Sequence, residues 1–137
     1  KINESIPGLI LKKCFSYFKS RKKLKILFLG MTFKENCPDF RNSKALTLLE
    51  LLNKKKHEIQ AYDPYIDSVT RKKLPKNIKV LNNIKLPGKE YDLIMIIVPH
   101  NEFINIDKSL YKNSLKENGF IYDFKDILGN NSYIIKV

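Results

Sequence analysis

The sequence is poor in cysteine and glycine and has no tryptophan. It holds two cysteines and five glycines among 137 residues. Cys14 and Cys37 lack the neighbouring cysteine or histidine residues that form a zinc site, so neither zinc nor a disulfide framework is indicated. The longest apolar run, from Leu93 to Pro99, is too short to span a bilayer. We therefore expect a cytoplasmic protein without a metal site or a membrane-spanning helix.

The chain is strongly basic, but arginine contributes little of that charge. Lysine and arginine number 26 against 14 acidic residues, which gives a net charge of +12, and only three of the basic residues are arginine. The lysines form small scattered groups at predicted helix ends and in loops, which is typical of a solvated surface. We therefore expect no nucleic acid as a partner, although a positive field favours a phosphate-bearing ligand.

Short apolar runs alternate with amphipathic segments along the chain. Such alternation predicts a Rossmann-like, doubly wound α/β fold with a mainly parallel sheet, preceded by an N-terminal helix. The predicted strands cover residues 24–30, 58–62, 78–81, 91–98, 120–124 and 133–137, and the predicted helices cover 2–18, 66–73, 108–115 and a segment capped by Asn42 or Ser43.

The long loop after the first predicted strand is the strongest candidate for a binding site. Ligands of open α/β sheets sit at the carboxyl ends of the strands. Gly30 is the only glycine of this loop, so the G-x-G-x-x-G pattern of a self-sufficient dinucleotide site is missing. Lys34 and Arg41 precede a helix N-terminus and could hold phosphate, and Phe33 could stack on a ligand. Alternatively, Arg41 and Asp39 pair with each other and brace the loop.

The residues of this loop also carry a family resemblance. The run from Gly30 to Lys44 resembles the G-x-T-F-K-E-N-x-P-D-x-R-N-S-K block of the UDP-glucose/GDP-mannose dehydrogenase family, in its C-terminal UDP-sugar-binding domain. This form of the block is similar to that of the UDP-N-acetylhexosamine branch. Further similar motifs lie at residues 2–4 (I-N-D in the family), 62–64 (D-P), 98–103 (V-x-H-x-x-F) and 122–125 (D-x-K or D-x-R).

The resemblance implies an enzyme whose reaction needs more than this chain. Such enzymes oxidise the sugar 6-hydroxyl to a carboxylate in two NAD-dependent steps, through a thiohemiacetal and a thioester on a cysteine, and make UDP-uronic acids for surface polysaccharide. That cysteine belongs to a G-x-C-x-P-like segment that this sequence does not contain. We therefore expect no catalytic residue here, NAD bound mainly by another domain, and no activity of this chain alone. Cys14 and Cys37 are interpreted as packing residues.

The resemblance also implies roles for four residues. Phe33 and Lys34 would contact the sugar and its reacting end, and Lys125 would meet the ribose or phosphate of the UDP-sugar. Arg41 would reach into the cleft between domains and touch the cofactor or phosphate. We therefore expect the ammonium of Lys34 and the guanidinium of Arg41 to face the same cleft at the carboxyl edge of the sheet.

The resemblance divides the chain into two parts. Residues 1–20 would be the end of the central helix through which family members form dimers or larger assemblies, and residues 21–137 would be the UDP-sugar-binding domain. The first residue is not a methionine, and the N-terminus lacks the order of a signal peptide, which indicates a cut end.

Several alternatives remain open from the residues alone. His100 could act as a general base, or it could cap a helix or hydrogen-bond a loop. Asp63 could bind a ribose hydroxyl or form a turn, and Asp123 is expected to orient the turn that follows it. The whole chain could instead be a free-standing nucleotide-binding α/β module without catalytic activity, or a basic RNA-binding domain.

Overall fold

The computed structural model describes residues 6–19 and 23–136. Within these ranges, the structure has five strands and five helices. The elements in chain order are α1 (Ile6–Phe15), β1 (Lys25–Leu29), α2 (Lys44–Asn53), β2 (Glu58–Tyr62), α3 (Ser68–Lys73), β3 (Lys79–Val80), β4 (Tyr91–Ile96), α4 (Asn101–Ile104), α5 (Lys108–Asn113) and β5 (Leu115–Asp123).

The strands form one parallel sheet in the order β3-β2-β1-β4-β5. The chain moves outward from β1 to β3 and then crosses to the other side of β1 for β4 and β5. Strand order therefore reverses between β1 and β4, and this is where doubly wound sheets form their ligand crevice. The structure confirms the Rossmann-like fold and the preceding helix.

The two central strands are apolar on both faces because helices and loops cover both sides of the sheet. Ile26 and Phe28 of β1 belong to one buried cluster, and Leu27 and Leu29 belong to a second cluster on the opposite face. From Leu93 to Ile96, the residues of β4 alternate between the same two clusters. This double burial explains why both strands could be predicted as continuous apolar runs.

Helix α1 packs against α2 and contributes to the larger cluster. Leu11 and Cys14 are buried there together with Leu48 and Leu49 of α2. Helix α2 begins where its cap predicts, since the hydroxyl of Ser43 accepts the Leu46 amide at 3.1 Å. Within the described residues, no helix is long and apolar enough to cross a membrane.

Three predictions of secondary structure need correction. The predicted last strand, residues 133–137, is wrong over its described part: only Ile134 forms a bridge, to Ile121. The Ile121 amide donates to the Tyr133 carbonyl and the Ile135 amide donates to the Ile121 carbonyl, which makes one bridge, and residues 132 and 133 form a turn. Strand β5 begins earlier than expected, at Leu115, and the short helix α4 was not predicted. Residues 2–4 and 137 lie outside the described residues.

Candidate functional site

A cavity opens at the carboxyl edge of the sheet, where the order of the strands reverses. Its volume is about 240 Å³, and its walls come from the loop after β1, the start of α2, the end of β4 and the turn after β5. These segments are far apart in the sequence, and the parallel sheet brings their ends to one edge. The cavity therefore lies where the fold class predicts a ligand site.

The side chains around the cavity give it a positive charge and an aromatic wall. Lys34, Lys44 and Lys125 line it together with a single acidic residue, Glu35. The rings of Phe33 and Phe124 also line it and are 53% and 44% exposed. Exposed aromatic rings beside ammonium groups can hold a ligand that combines a flat or apolar face with negative charge.

The structure brings together three of the four residues that were expected to bind ligands. Phe33, Lys34 and Lys125 line the same cavity, although the first two follow β1 and Lys125 follows β5. The ammonium of Lys125 lies 5.5 Å from the centre of the Phe124 ring. Sequence reasoning assigned no role to Lys44 or Phe124, although each stands inside one of the motifs that carry the resemblance. Their place in these motifs was the available signal.

Arg41 does not line this cavity. Its guanidinium pairs with Asp39 through Nε to Oδ1 at 3.0 Å and Nη2 to Oδ2 at 3.1 Å, and its side chain is 88% exposed. The hydrogen bond from the Arg41 side chain holds the pKa of the Asp39 carboxyl below its usual value. The expectation that Arg41 shares a cleft with Lys34 is therefore not met, and the alternative of a loop-bracing pair describes the geometry.

Asp63 and His100 lie beneath the loop after β1 and are almost completely inaccessible to solvent. Oδ2 of Asp63 accepts the Met31 amide at 2.6 Å and lies 2.9 Å from Nε2 of His100. Nδ1 of His100 accepts the Asn36 amide at 2.9 Å. His100 thus hydrogen-bonds a loop, and Asp63 forms a turn by accepting the Tyr65 amide. Neither faces the cavity as a base or a ribose ligand.

Asp123 ends β5 and shapes the turn that carries Lys125. Its two carboxylate oxygens accept the amides of Ile127 at 3.0 Å and Leu128 at 2.7 Å. Asp126, inside this turn, adopts a positive φ of 56°. The prediction that Asp123 orients the following turn is confirmed. The buried carboxylate of Asp123 thereby positions Lys125, which lies in this turn.

Neither cysteine lines the cavity. Burial raises the pKa of the Cys14 thiol to about 12, and the thiol lies inside the larger core cluster. Cys37 is half-buried in the loop after β1 and does not line the cavity. Within residues 6–19 and 23–136, no group of three or more His, Cys, Asp or Glu side chains could hold a metal ion.

The turn after β1 does not suit a dinucleotide. Gly30 has a φ of 94°, and a β-carbon there would lie 2.6 Å from the backbone nitrogen of Val98. The missing side chain thus admits the end of β4, whereas a dinucleotide fingerprint uses its glycines to admit a pyrophosphate.

The fold and cavity define a Rossmann-like α/β domain with a cationic site at its topological switch point. Residues 27–130 match the family described as the UDP-glucose/GDP-mannose dehydrogenase family, UDP binding domain. Because this match covers more than half of the sequence, the chain belongs to that family. The resemblance found in the loop after β1 is confirmed.

Named relatives and solved structures agree with this assignment. UDP-N-acetyl-D-glucosamine 6-dehydrogenase of Salmonella typhi is 28% identical over 103 residues, which cover 75% of this chain and 24% of that protein. UDP-N-acetyl-D-mannosamine dehydrogenase of Methanocaldococcus jannaschii is 30% identical over 130 residues, which cover 93% of this chain and 28% of that protein.

A solved structure also matches the fold over nearly the whole chain. The structure of UDP-N-acetyl-mannosamine dehydrogenase Cap5O from Staphylococcus aureus superposes with a TM-score of 0.69 at 26% identity, covering 94% of this chain and 29% of that one. These names confirm the predicted resemblance to the N-acetylhexosamine branch. The chain spans only about a quarter of the length of these relatives.

Proposed function

We propose that this chain is the sugar-nucleotide-binding domain of an NAD-dependent UDP-sugar 6-dehydrogenase that acts on a UDP-N-acetylhexosamine. The observation that carries the proposal is the meeting of Phe33, Lys34 and Lys125 around one cavity at the topological switch point. The family of this domain is defined by UDP binding, and the relatives described above are dehydrogenases of UDP-N-acetylhexosamines.

The charges of the cavity suit a nucleoside diphosphate linked to a sugar. Lys34 and Lys125 would bind the two ends of the ligand: Lys125 the ribose or phosphate, and Lys34 the reacting end of the sugar. The half-exposed ring of Phe33 would pack on the sugar. Within a closed site, an ammonium group at the position of Lys34 would stabilise a developing oxyanion or carboxylate because few waters compete with it.

The oxidation itself requires groups that lie outside this domain. NAD would supply the hydride acceptor for both oxidation steps, and the turn at Gly30 does not fit it, so the cofactor belongs to another part of the enzyme. Cys14 and Cys37 are not the nucleophile, and this chain alone would be inactive. Arg41 is exposed near the end of its loop, where it can reach a cofactor or phosphate held by that other part.

The N-terminal helix would join this domain to the rest of a dimeric or larger cytoplasmic enzyme. Residues 1–20 would be the end of the central helix, and residues 21–137 the UDP-sugar-binding domain. Ile6 and Leu9 of α1 are exposed apolar side chains, which supports association through this helix. Leu11 and Cys14 on its other face are buried in the core of the domain, so the helix stays attached to it.

Calorimetric titration of the 137-residue chain tests the proposal directly. The chain is titrated with UDP, UDP-N-acetylglucosamine, UDP-glucose and NAD in the same low-salt buffer. We expect weak but measurable binding of UDP and the UDP-sugars, tighter for the N-acetylhexosamine, and negligible binding of NAD. Equal affinity for NAD and UDP, or no heat with any UDP compound, would reject the proposal.

A further inference from the structure

Three loops meet in one hydrogen-bond network whose centre, the pair of His100 and Asp63, is buried. His100 follows β4, Asp63 follows β2, and Thr32 and Asn36 belong to the loop after β1. The ring of His100 is 1% exposed and the carboxylate of Asp63 is 0% exposed. A polar pair this deeply buried is costly unless its hydrogen bonds are complete, and complete bonds rigidify what they connect.

We infer that His100 and Asp63 are positioning residues that hold the loop after β1 in its ligand-binding conformation, with His100 neutral and protonated on Nε2. The inference rests on the proposed function, because it concerns the loop that presents Phe33 and Lys34 to the ligand.

The hydrogen-bond partners fix the form of the imidazole. The Asn36 amide can only donate, so Nδ1 of His100, 2.9 Å away, must be the unprotonated nitrogen. The proton of the neutral ring therefore sits on Nε2, which lies 2.9 Å from Oδ2 of Asp63. A proton on Nδ1 would set two donors against each other and break the bond to the loop.

The same network reaches the backbone of Lys34. The hydroxyl of Thr32 lies 3.2 Å from Nε2 of His100 and donates to the Lys34 carbonyl at 2.9 Å. Asp63 holds the start of the loop through the Met31 amide, and His100 holds its middle through Asn36. The pair of His100 and Asp63 thus holds both ends of the segment from Met31 to Asn36, and the Thr32 hydroxyl connects His100 to the Lys34 carbonyl between them.

Asn36 is a position where such support is needed. Its φ of 57° lies in the left-handed region, which asparagine tolerates at some cost. Besides the His100 bond, its side chain exchanges hydrogen bonds with Asn101, through Nδ2 to Oδ1 at 3.1 Å and from the Asn101 amide at 2.8 Å. The loop after β4 thereby holds Asn36 in this conformation, and Lys34 lies two residues before it.

The ring of His100 is also held in orientation by its neighbours. Tyr65 and Phe103 lie with ring centres 5.1 Å and 5.5 Å away. A half-turn of the imidazole would place ring carbons where the two nitrogens now lie and break both hydrogen bonds at once. The pair of His100 and Asp63 therefore acts as a rigid support for the loop.

The test compares His100→Asn and His100→Leu with a matched control, Asp92→Asn. Asp92 is a buried carboxylate that accepts the amide of Lys25, the first residue of β1, at 2.8 Å. It therefore lies where β1 begins, whereas the cavity lies where β1 ends. Asparagine keeps an acceptor near the position of Nδ1, whereas leucine keeps neither ring nitrogen. UDP affinity is measured by titration under conditions in which circular dichroism shows every variant to be folded.

We expect His100→Leu to weaken UDP binding by about tenfold or more and His100→Asn to weaken it less, since roughly a tenfold change corresponds to each lost buried hydrogen bond. Asp92→Asn should lower the melting temperature and leave UDP affinity unchanged. Affinities that follow the melting temperature across all three variants, or His100 variants with wild-type affinity, would overturn the inference.

Nitrogen-15 NMR of the unliganded chain tests the positioning role independently of the proposed function. The His100 ring should show an unprotonated Nδ1 and a protonated Nε2, and the Asn36 amide should be protected from exchange. In His100→Leu, the amide signals of Phe33, Lys34 and Asn36 should shift or broaden, whereas in Asp92→Asn they should not. These signals are readable even if UDP does not bind, and unchanged loop signals or a protonated Nδ1 would refute the positioning role.

Discussion

Gly30 and Val98 approach so closely that a β-carbon on Gly30 would lie 2.6 Å from the Val98 nitrogen. This contact joins the end of β1 to the end of β4 at the topological switch point. The φ of Gly30 is 94°, which adds a conformational demand to the steric one. The cavity that we propose as the UDP-sugar site opens directly beside this junction, since Val98 also lines it.

Replacing Gly30 by alanine should therefore destabilise the fold. We expect Gly30→Ala to lower the free energy of unfolding by about 2–4 kcal/mol, because it combines backbone strain with a clash against a main chain that cannot yield. Gly129→Ala is the matched control: its φ is also positive, at 78°, but a β-carbon there meets nothing within 4 Å. It should cost only about 1 kcal/mol. Urea unfolding measures both, and equal losses would contradict the steric explanation.

Lys34 and Lys125 should each contribute to UDP affinity. We expect Lys34→Ala and Lys125→Ala to weaken UDP binding by roughly three- to tenfold each, because each substitution removes one charged partner of a phosphate or sugar oxygen at a partly solvated site. Lys76→Ala, an exposed lysine away from the cavity, is the control and should leave the affinity unchanged. Calorimetry at low ionic strength measures the three variants; a similar loss in all of them would indicate a non-specific charge effect.

Arg41 should behave differently from Lys34. Because its guanidinium is exposed and paired with Asp39, Arg41→Ala should leave the melting temperature nearly unchanged. It should also lower the UDP affinity of this chain less than Lys34→Ala does, since Arg41 does not line the cavity. Differential scanning fluorimetry and calorimetry give the two measurements. A larger loss of affinity for Arg41→Ala would show that its loop rearranges to reach the ligand.

His57 should make stability depend on pH. Burial lowers the pKa of His57, chiefly by disfavouring its charged form, and Nδ1 accepts the Leu24 amide at 3.0 Å. The unfolded chain, with a pKa of about 6.5, binds this proton more readily than the folded chain. The stabilising contribution is therefore complete above about pH 6.5 and falls as the pH drops towards the pKa of the folded state.

The comparison with His57→Gln isolates this effect. Glutamine does not titrate, so the free energy of unfolding of the variant should fall less between about pH 7.5 and about pH 5 than that of the wild type. His100 and the carboxyl groups are common to both proteins and cancel in the difference. Urea titrations at several pH values measure the two slopes, and parallel curves would show that His57 does not contribute.

The sequence by itself determined the order and type of the main elements. β1 and β4 are buried on both faces and therefore read as unbroken apolar runs, and the Ser43 cap marked the start of α2. The motif of the loop after β1 also indicated the family and three residues of the cavity, Phe33, Lys34 and Lys125. These features depend on local sequence patterns, which can be recognised without knowing the fold.

Only the tertiary structure decided which polar residues face the ligand site and which support it. Asp63 and His100 follow strand ends, where ligand residues also occur, and only the packing of three loops reveals that both are buried beneath the loop after β1. Likewise, Arg41 could not be separated from Lys34 by spacing, because its pairing with Asp39 depends on the path of the loop. Hydrogen bonds between residues distant in sequence arise when parallel strands bring their ends to one edge, and no local pattern encodes them.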